Sequence, residues 1–340
     1  MRRPVAAAAV ITLVLIASAC GGVRSPEAPD VPPLPRGSSA MPPKAPGARG
    51  RIVVVTHGQA SDPFWAVVRR GIDDAARQLD ISVAYEAPDS YDVARMRALI
   101  DAAVATHPAG IVVSLPDPHG LAPAVHRALR AGIPVISINS GADSFRALGI
   151  PVHVGQLEFR AGFLVGSRLA RAGVERALCV IHEAGNQALA ARCSGVAAAL
   201  RRAGAHLGVL TVNLQDPVGV DRAIAEALHS GRYDALVTLG GASIARLALS
   251  AIRADHLAGK ITYATFGLGP DVLRAVRAGR IVFAVDQQPY LQGYLPIVLL
   301  EEEHRYGVLP VMGTLIQTGP VFVTKENAGR ILALTLRGFR

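Results

Sequence analysis

Short apolar runs and longer amphipathic segments alternate along the chain from residue 51 onward. Short runs of β-branched and other apolar residues are typical of buried strands, and apolar residues spaced three and four apart are typical of helices. The predicted strands lie at 52–56, 81–85, 111–115, 135–139, 179–182, 207–212, 235–239, 261–266 and 281–285. Helical patterns follow many of them, as at 64–79, 93–106, 121–131, 159–172 and 242–254.

This repeated βα pattern predicts parallel, doubly wound sheets that are covered by helices on both faces. Because the units are too many for one mononucleotide-binding half, we expect an α/β protein of two Rossmann-like lobes. In such sheets ligands bind beyond the carboxyl ends of the strands. The loops after residues 56, 115, 139, 182, 239, 266 and 285 are therefore the candidate ligand loops.

The N-terminal fifty residues differ from the rest of the chain. Residues 1–19 join a basic start to an apolar stretch shorter than a membrane span, which predicts a secretory signal peptide. The sequence ASACG at residues 17–21 resembles the lipobox of bacterial lipoproteins, which implies cleavage before Cys20 and its lipidation. An ordinary signal peptide that is cleaved nearby is the alternative. Residues 20–50 include eight prolines and are expected to form an extended tether to the outer face of a membrane.

The two remaining cysteines agree with export. Cys179 lies in a predicted strand and Cys193 in the helical pattern that follows it. They form either a disulfide or two buried thiols that pack as small apolar groups.

Composition and the lack of motifs narrow the functional classes. The net charge is +9, but basic residues occur as pairs such as Arg69 and Arg70, with one Trp, seven Tyr and eight Phe in the whole chain. This dispersed pattern does not favour nucleic-acid binding. No Walker A, G-x-G-x-x-G, G-x-S-x-G, H-E-x-x-H or C-x-x-C motif occurs in the folded part. We expect no enzyme activity, cofactor or metal, although an active site built from scattered residues stays an alternative.

The loop after the first strand holds the most distinctive side chains. Asp62 and Pro63 have the pattern of a helix N-cap and first helical residue, and Phe64 and Trp65 follow directly. Consecutive helical residues point about 100° apart, so only one of the two aromatic rings can face the core fully. We interpret the pair as a stacking platform for a sugar or polyol, with Asp62 accepting hydroxyl hydrogen bonds. Helix capping and core packing are the alternative explanation.

Five segments together resemble the ribose-type sugar-binding proteins of bacterial ABC importers, which have the periplasmic binding protein-like I fold. The segments are residues 57–65, 134–141, 153–156, 185–192 and 286–294. The resemblance implies two lobes joined by a three-strand hinge, with the ligand cleft between them. It assigns residues 51–153 and 288–318 to an N-lobe, and 154–287 and 319–340 to a C-lobe.

The resemblance also implies a set of ligand-binding residues. These are Asp62, Phe64, Trp65 and Asn139 from the N-lobe, Gln156 near the first hinge crossing, Asn186 and Arg192 from the C-lobe, and Gln287 from the second crossing. Amides and an Arg fork suit a neutral polyhydroxylated ligand. The alternatives are turn residues at Asn139 and Asn186, a surface charge at Arg192, and an exposed strand end at Gln287.

Three positions depart from the family pattern. Gly267 stands where the family usually has an acidic residue after Phe, Gly240 where many members have Asn or Asp, and Ser140 where ribose binders have Arg. We expect both glycines to widen the pocket, and Gly267→Asp to restore or tighten sugar binding. Ribose itself is a poor match for such a pocket.

The resemblance thus predicts a monomeric solute-binding lipoprotein, anchored by lipid on the outer face of a cell membrane. It would capture a small sugar or polyol by hinge closure and deliver it to an ABC permease. The alternative is a sensory lipoprotein that presents the same closed form to a chemoreceptor or a kinase.

Overall fold

The computed structural model describes residues 50–58 and 62–340. The predicted signal peptide, the lipidation site Cys20 and the tether up to residue 49 lie outside the described residues, as do residues 59–61 of the first ligand loop. These N-terminal assignments stay predictions.

The described chain alternates strands and helices in the predicted manner. The first half holds β1 (Arg51–Val55), α1 (Pro63–Leu79), β2 (Ser82–Glu86), α2 (Val93–Ala105), β3 (Gly110–Ser114), α3 (Pro118–Arg130), β4 (Val135–Asn139), β5 (Val152–Gly155), α4 (Glu158–Arg171), β6 (Arg176–Ile181) and α5 (Gln187–Arg202). The second half holds β7 (His206–Thr211), α6 (Pro217–His229), β8 (Ala235–Thr238), α7 (Gly241–Ala254), β9 (Thr262–Phe266), α8 (Pro270–Arg277), β10 (Phe283–Asp286), α9 (Pro289–Tyr306), β11 (Thr314–Gln317), β12 (Val321–Val323) and α10 (Ala328–Leu336).

These strands form two six-stranded sheets. The order in one is β2-β1-β3-β4-β5-β11, with every neighbouring pair parallel. The order in the other is β7-β6-β8-β9-β10-β12, which is parallel except for the antiparallel edge pair β10 and β12. Central strands such as β3 and β4 are buried at every residue, because helices cover both faces of each sheet. The prediction of two parallel α/β lobes is confirmed.

The chain crosses between the sheets at three places. We call the part of the chain built on the first sheet the N-lobe and the part built on the second the C-lobe. The first crossing, at residues 156–157, leads from β5 to α4, and the second, at 287–288, leads from β10 to α9. The third, at 318–320, leads from β11 to β12. All three crossings bring the ends of sheet strands to the same region, between the lobes.

Three strands lie outside the predicted βα repeat: β5, β11 and β12. They are short, β5 and β11 each lead into a crossing to the other lobe, and β12 has only three residues, so a pattern of strand and helix does not reveal them. The predicted strand at 281–285 is displaced to Phe283–Asp286. The reason is that Ile281 packs into the C-lobe core while its backbone N–H bonds to Ala275 at the end of α8.

Within the part of the chain that the structure describes, no helix has both the length and the apolar character required to cross a bilayer.

Candidate functional site

A cavity of about 1010 Å³ lies between the lobes, at the carboxyl ends of their strands. The loops after β1, β2 and β4 form its N-lobe wall, and the loops after β6, β7 and β8 form its C-lobe wall with the second crossing. Seven of the eight predicted ligand residues line this cavity: Asp62, Phe64, Trp65, Asn139, Asn186, Arg192 and Gln287. The eighth, Gln156, does not.

The two lobes contact each other beside the cavity. The backbone N–H of Gln187, at the start of α5, donates to the carbonyl of Pro116 in the loop after β3 at 2.9 Å. Nε2 of His57 in the N-lobe lies 3.8 Å from Oε2 of Glu183 in the C-lobe. A ligand in this cavity is therefore enclosed by side chains of both lobes.

The aromatic pair begins α1 and is held there by a helix cap. The Asp62 carboxylate accepts from the backbone N–H of Phe64 at 2.9 Å and of Trp65 at 3.4 Å. The Trp65 ring packs into the N-lobe core and is 5% exposed, whereas Phe64 is half-buried at the cavity. Phe64 is thus the ring more available for stacking, and the Trp65 ring supports it edge-on at 5.2 Å between centroids. Burial raises the pKa of Asp62, although the two N–H donors oppose that shift.

Asn139 ends β4 with a left-handed backbone, at φ 60°. Its Nδ2 donates to Oε1 of Gln292 at 3.2 Å, and its Oδ1 accepts from the Ser140 hydroxyl at 3.1 Å. The side chain therefore lines the cavity in an orientation fixed by α9 and by its own loop.

Arg192 is a buried side chain at the base of the cavity, which contradicts the surface-charge interpretation. It is 3% exposed. Its Nε and Nη2 form a bidentate pair with Glu158 at 2.6 and 2.9 Å. Its Nη2 also donates to Oε1 of Gln287 at 2.8 Å, and its Nη1 to the carbonyl of Leu239 at 2.6 Å.

This geometry bears on two expectations. The guanidinium group that was predicted to bind ligand hydroxyls is already paired with the Glu158 carboxylate. Arg192 therefore serves mainly to hold the residues at the base of the cavity in place. Gln156 lies at the first crossing, but its amide donates to Oε2 of Glu158 at 2.8 Å and does not face the cavity. Gln156, Glu158, Arg192 and Gln287 therefore form one polar network that joins the first and second crossings.

Asn186 caps α5, as its turn-residue interpretation proposed. Its Oδ1 accepts from the backbone N–H of Ala188 at 3.0 Å and of Leu189 at 3.4 Å. Its Nδ2 donates to Oε2 of Glu183 at 2.6 Å. Further along α5, Cys193 forms a disulfide with Cys179 of β6, which ties the helix to the sheet.

The polar side chains of the cavity that are absent from the predicted set include four with buried or titratable groups: His57, Tyr91, His182 and Glu183. Burial raises the pKa of Glu183 to about 7, with nearby Asp62 adding to the shift. Burial lowers the pKa of His57 to about 3 and of His182 to about 4, so both imidazoles are neutral at physiological pH. Each of the four follows a strand, and this position after a strand is the one feature of the sequence that points to them as cavity residues.

The two family departures at glycine have other roles than the predicted widening. A Cβ at Gly240 would lie 2.0 Å from Cε1 of His182, so the imidazole occupies that space. Gly267 has φ +85°, a Cβ there would lie 2.6 Å from the backbone nitrogen of Gly241, and the residue does not line the cavity. Both observations count against the expectation that Gly267→Asp restores sugar binding, because the substitution would strain the loop at a residue that does not line the cavity.

Across residues 50–58 and 62–340, no cluster of three or more His, Cys, Asp or Glu side chains is arranged to hold a metal ion. The cavity combines an aromatic face with carboxylates, amides, hydroxyls, neutral imidazoles and the guanidinium groups of Arg192, which is engaged within the protein, and of Arg246, which is exposed. These groups can donate to and accept from a small molecule with many hydroxyl groups.

Comparisons with known proteins point in the same direction. The family described as periplasmic binding protein domain matches residues 52–303. The xylose/arabinose-binding protein of Sulfolobus acidocaldarius is 26% identical over 294 residues, which cover 82% of this chain and 71% of that protein.

Solved structures are similar over the folded part. A carbohydrate transporter from Acidothermus cellulolyticus, in complex with myo-inositol, is 33% identical with a TM-score of 0.81, covering 86% of this chain and 100% of that one. The myo-inositol binding protein of Caulobacter, bound to myo-inositol, has a TM-score of 0.72 and covers 84% of this chain and 96% of its own. At 22% identity this second likeness concerns the fold alone.

Proposed function

This chain belongs to the periplasmic binding protein domain family, and we propose that it captures a small sugar or polyol outside the cytoplasm and delivers it to an ABC permease. The membership confirms the family predicted from the sequence. Because the family consists of binding proteins, the prediction that the chain is not an enzyme is confirmed as well.

The observation that carries the proposal is the composition of the cavity between the lobes. A half-buried aromatic ring at Phe64 offers an apolar face, and the carboxylates of Asp62 and Glu183 offer acceptors from opposite lobes. This combination fits a ligand with an apolar C–H face and a rim of hydroxyl groups. Ligand contacts from both lobes favour the closed form, which is the form that a permease would recognise.

The ligand class can be narrowed to a cyclitol or a monosaccharide. The relative from Acidothermus, at 33% identity, was solved with myo-inositol, and the relative from Sulfolobus is named for xylose and arabinose. The guanidinium fork of Arg192 is engaged by Glu158 and Gln287, so it is not open to an anionic ligand, and the other arginine of the cavity, Arg246, is exposed at its surface. We therefore propose an uncharged ligand, with myo-inositol as the first candidate.

We also propose that the protein is a monomeric lipoprotein. The motif at residues 17–21 supports lipidation of Cys20, and the following prolines support a tether. One chain supplies both walls of the cavity, so no second copy is needed to complete it. Expression of wild type and Cys20→Ser in a bacterial host tests the anchor: the wild type should sediment with membranes and carry acyl mass, and the variant should do neither.

The binding test uses Trp65, the one tryptophan of the chain, and calorimetry. Titration with myo-inositol, xylose, arabinose and ribose should give saturable heat and a fluorescence change for at least one of the four. Asp62→Asn keeps the helix cap but removes the charge, so it should weaken binding by about 10- to 100-fold, the value of a charge-assisted hydrogen bond. Asp117→Asn, at the cap of α3 outside the cavity, is the matched control. Absence of heat and of fluorescence change with every ligand would refute sugar and polyol binding.

A further inference from the structure

Two buried polar atoms on side chains that line the cavity lack a hydrogen-bond partner in the described chain. They are the hydroxyl oxygen of Tyr91 and Nδ1 of His182. Both atoms are buried, and buried polar atoms of native proteins nearly always have a hydrogen-bond partner. The two atoms therefore point to a partner that the cavity receives from outside the chain.

These two side chains come from opposite walls. Tyr91 precedes α2 in the loop after β2, and its ring meets His57 edge-on at 6.2 Å between centroids. His182 follows β6 and lies over Gly240. A molecule held between them touches both lobes at once, so their hydrogen bonds form only when the lobes are closed around it.

The imidazole of His182 depends on the glycine beneath it. A Cβ at position 240 would come within 2.0 Å of Cε1 and 2.3 Å of Nε2 of His182. Gly240 itself has an ordinary extended backbone, with φ −141° and ψ 111°. Alanine would therefore fit the backbone at this position and would conflict only with the imidazole.

Both groups match hydroxyl chemistry. The neutral imidazole has one donor and one acceptor nitrogen, and the phenol both donates and accepts. A ligand hydroxyl also donates and accepts, so it can satisfy either group. By contrast, the amide of Asn186 and the guanidinium of Arg192 are already engaged within the protein.

We propose that Tyr91 and His182 determine which arrangement of hydroxyl groups the cavity accepts, and that Gly240 determines it indirectly by leaving room for His182. This inference rests on the proposed sugar or polyol binding. It assigns specificity to two residues, one per lobe, that line the cavity and carry unsatisfied buried atoms.

The test compares two ligands that differ at one hydroxyl group, myo-inositol and scyllo-inositol, with xylose as a third. Calorimetry measures the dissociation constants for wild type, Tyr91→Phe, His182→Ala and Gly240→Ala. Tyr306→Phe is the matched control, since Tyr306 is exposed at the end of α9 and outside the cavity. Each cavity variant should bind about tenfold more weakly and should change the preference between the two inositols by at least about fivefold. The control should stay within twofold of wild type.

The double variant His182→Ala with Gly240→Ala tests the link between these two positions. Without the imidazole, the added methyl group meets free space, so the double variant should bind no worse than His182→Ala alone. Additive losses would overturn the role of Gly240.

Other outcomes separate this inference from the proposed function. If wild type binds a ligand and the variants keep its affinity and preference, the proposed function stands and this inference is wrong. If the variants lose affinity for all ligands by one common factor and melt at lower temperature, Tyr91 and His182 are structural, which also overturns it. A wild type that binds none of these ligands overturns the proposed function together with this inference.

Discussion

At the scale of single residues, the pair of Glu158 and Arg192 organises the base of the cavity. The side chains are 3% and 4% exposed and form two charge-assisted hydrogen bonds. Gln156 and Gln287 attach the two crossings to the same pair. Such a pair adds little net stability over apolar residues, but removal of one partner leaves the other as an uncompensated buried charge.

Glu158→Gln should therefore destabilise the protein strongly. The substitution preserves shape and leaves the Arg192 charge without a counter-charge, so the free energy of unfolding should fall by about 3–5 kcal/mol. Urea denaturation followed by circular dichroism measures it. Asp271→Asn breaks an ion pair with Arg274 in which both side chains are more than half exposed, and should change the free energy by less than about 1 kcal/mol. Equal effects of the two substitutions would contradict the assigned role.

Glu183 should make stability depend on pH. Its pKa is raised from 4.5 to about 7, so the folded protein keeps a proton that the unfolded chain releases between these values. The stabilisation that Glu183 contributes is complete below pH 4.5. It declines as the pH rises to about 7 and does not change further above that pH. Of the groups that face it, Asp62 also has a raised pKa, Arg192 opposes the shift, and His57 stays neutral above pH 4.

The comparison of wild type with Glu183→Gln isolates this titration. The unfolding free energy of wild type relative to the variant should be lower at pH 8 than at pH 5 by about 2–3 kcal/mol. A difference that does not change with pH would show that Glu183 is not desolvated in the folded protein.

The sequence predicts which residues lie at the cavity better than it predicts their hydrogen-bond and ion-pair partners. Asp62 was identified by its capping pattern, and the cap is present. Arg192 was placed at the cavity, but its partner Glu158 lies 34 positions away in sequence, and no local pattern links them. His182 was missed as a ligand residue because its role depends on the absent side chain of Gly240, a contact that only the folded chain reveals.

At the scale of elements, each lobe contains a pair of helices in backbone contact. In the N-lobe, α1 packs on α9 through Gly71 and Gly293, and in the C-lobe α4 packs on α5 through Gly162 and Gly195. A Cβ at any of these four glycines would lie 2.0–2.1 Å from a carbonyl oxygen of the facing helix. The C-lobe contact holds the α5 backbone at Arg192, so the spacing of α4 and α5 sets the position of the cavity base.

Gly195→Ala should separate α4 from α5 and lower the free energy of unfolding by about 1–3 kcal/mol, as overpacking does. It should also weaken ligand binding, because Arg192 moves with α5. The control is Gly329→Ala in α10, where the added methyl group meets nothing within 4 Å. That substitution should raise stability by about 0.5–1 kcal/mol, since alanine is the better helix former. Thermal melting measures the stability of both variants, and calorimetry measures their ligand affinity. A Gly195→Ala variant with unchanged stability and affinity would contradict the packing argument.

The elements that the sequence predicts well are those with a long regular pattern. The central strands of the βα repeat were predicted because their apolar runs are buried on both faces. The edge strand β11 has the mixed sequence Thr-Leu-Ile-Gln and is only partly buried, and β12 has three residues. Their pairing with distant strands, and not their own sequence, makes them strands.

At the scale of the whole molecule, the C-terminal residues make a further contact between the lobes. They leave α10 of the C-lobe and reach two helices of the N-lobe. The Phe339 ring packs edge-on against Tyr290 of α9 at 5.2 Å between centroids, and the guanidinium of Arg70 in α1 lies over the Phe339 ring at 5.5 Å. Arg340 forms an ion pair at 2.9 Å with Asp286, which is 1% exposed at the end of β10. Burial raises the pKa of Asp286, and the charge of Arg340 opposes that shift.

Arg340→Ala should lower the free energy of unfolding by about 1–3 kcal/mol, because the buried carboxyl of Asp286 loses its counter-charge. Urea denaturation measures this loss. Arg337→Ala, which removes an exposed arginine beside Phe339, should change stability by less than about 0.5 kcal/mol and serves as the control.

Arg340→Ala also shows whether this contact stabilises the fold or holds the lobes closed. Asp286 and Tyr290 lie on either side of the second crossing, next to the hinge, where rotation of the lobes displaces atoms least. The contacts of Phe339 and Arg340 should therefore persist in the open and the closed form, so Arg340→Ala should leave the dissociation constant for a bound sugar or polyol within about twofold. A loss of affinity larger than the loss of stability explains would show instead that the C-terminal residues hold the lobes closed. Affinity and stability measured on one preparation thus decide whether this connection stabilises the fold or controls its closure.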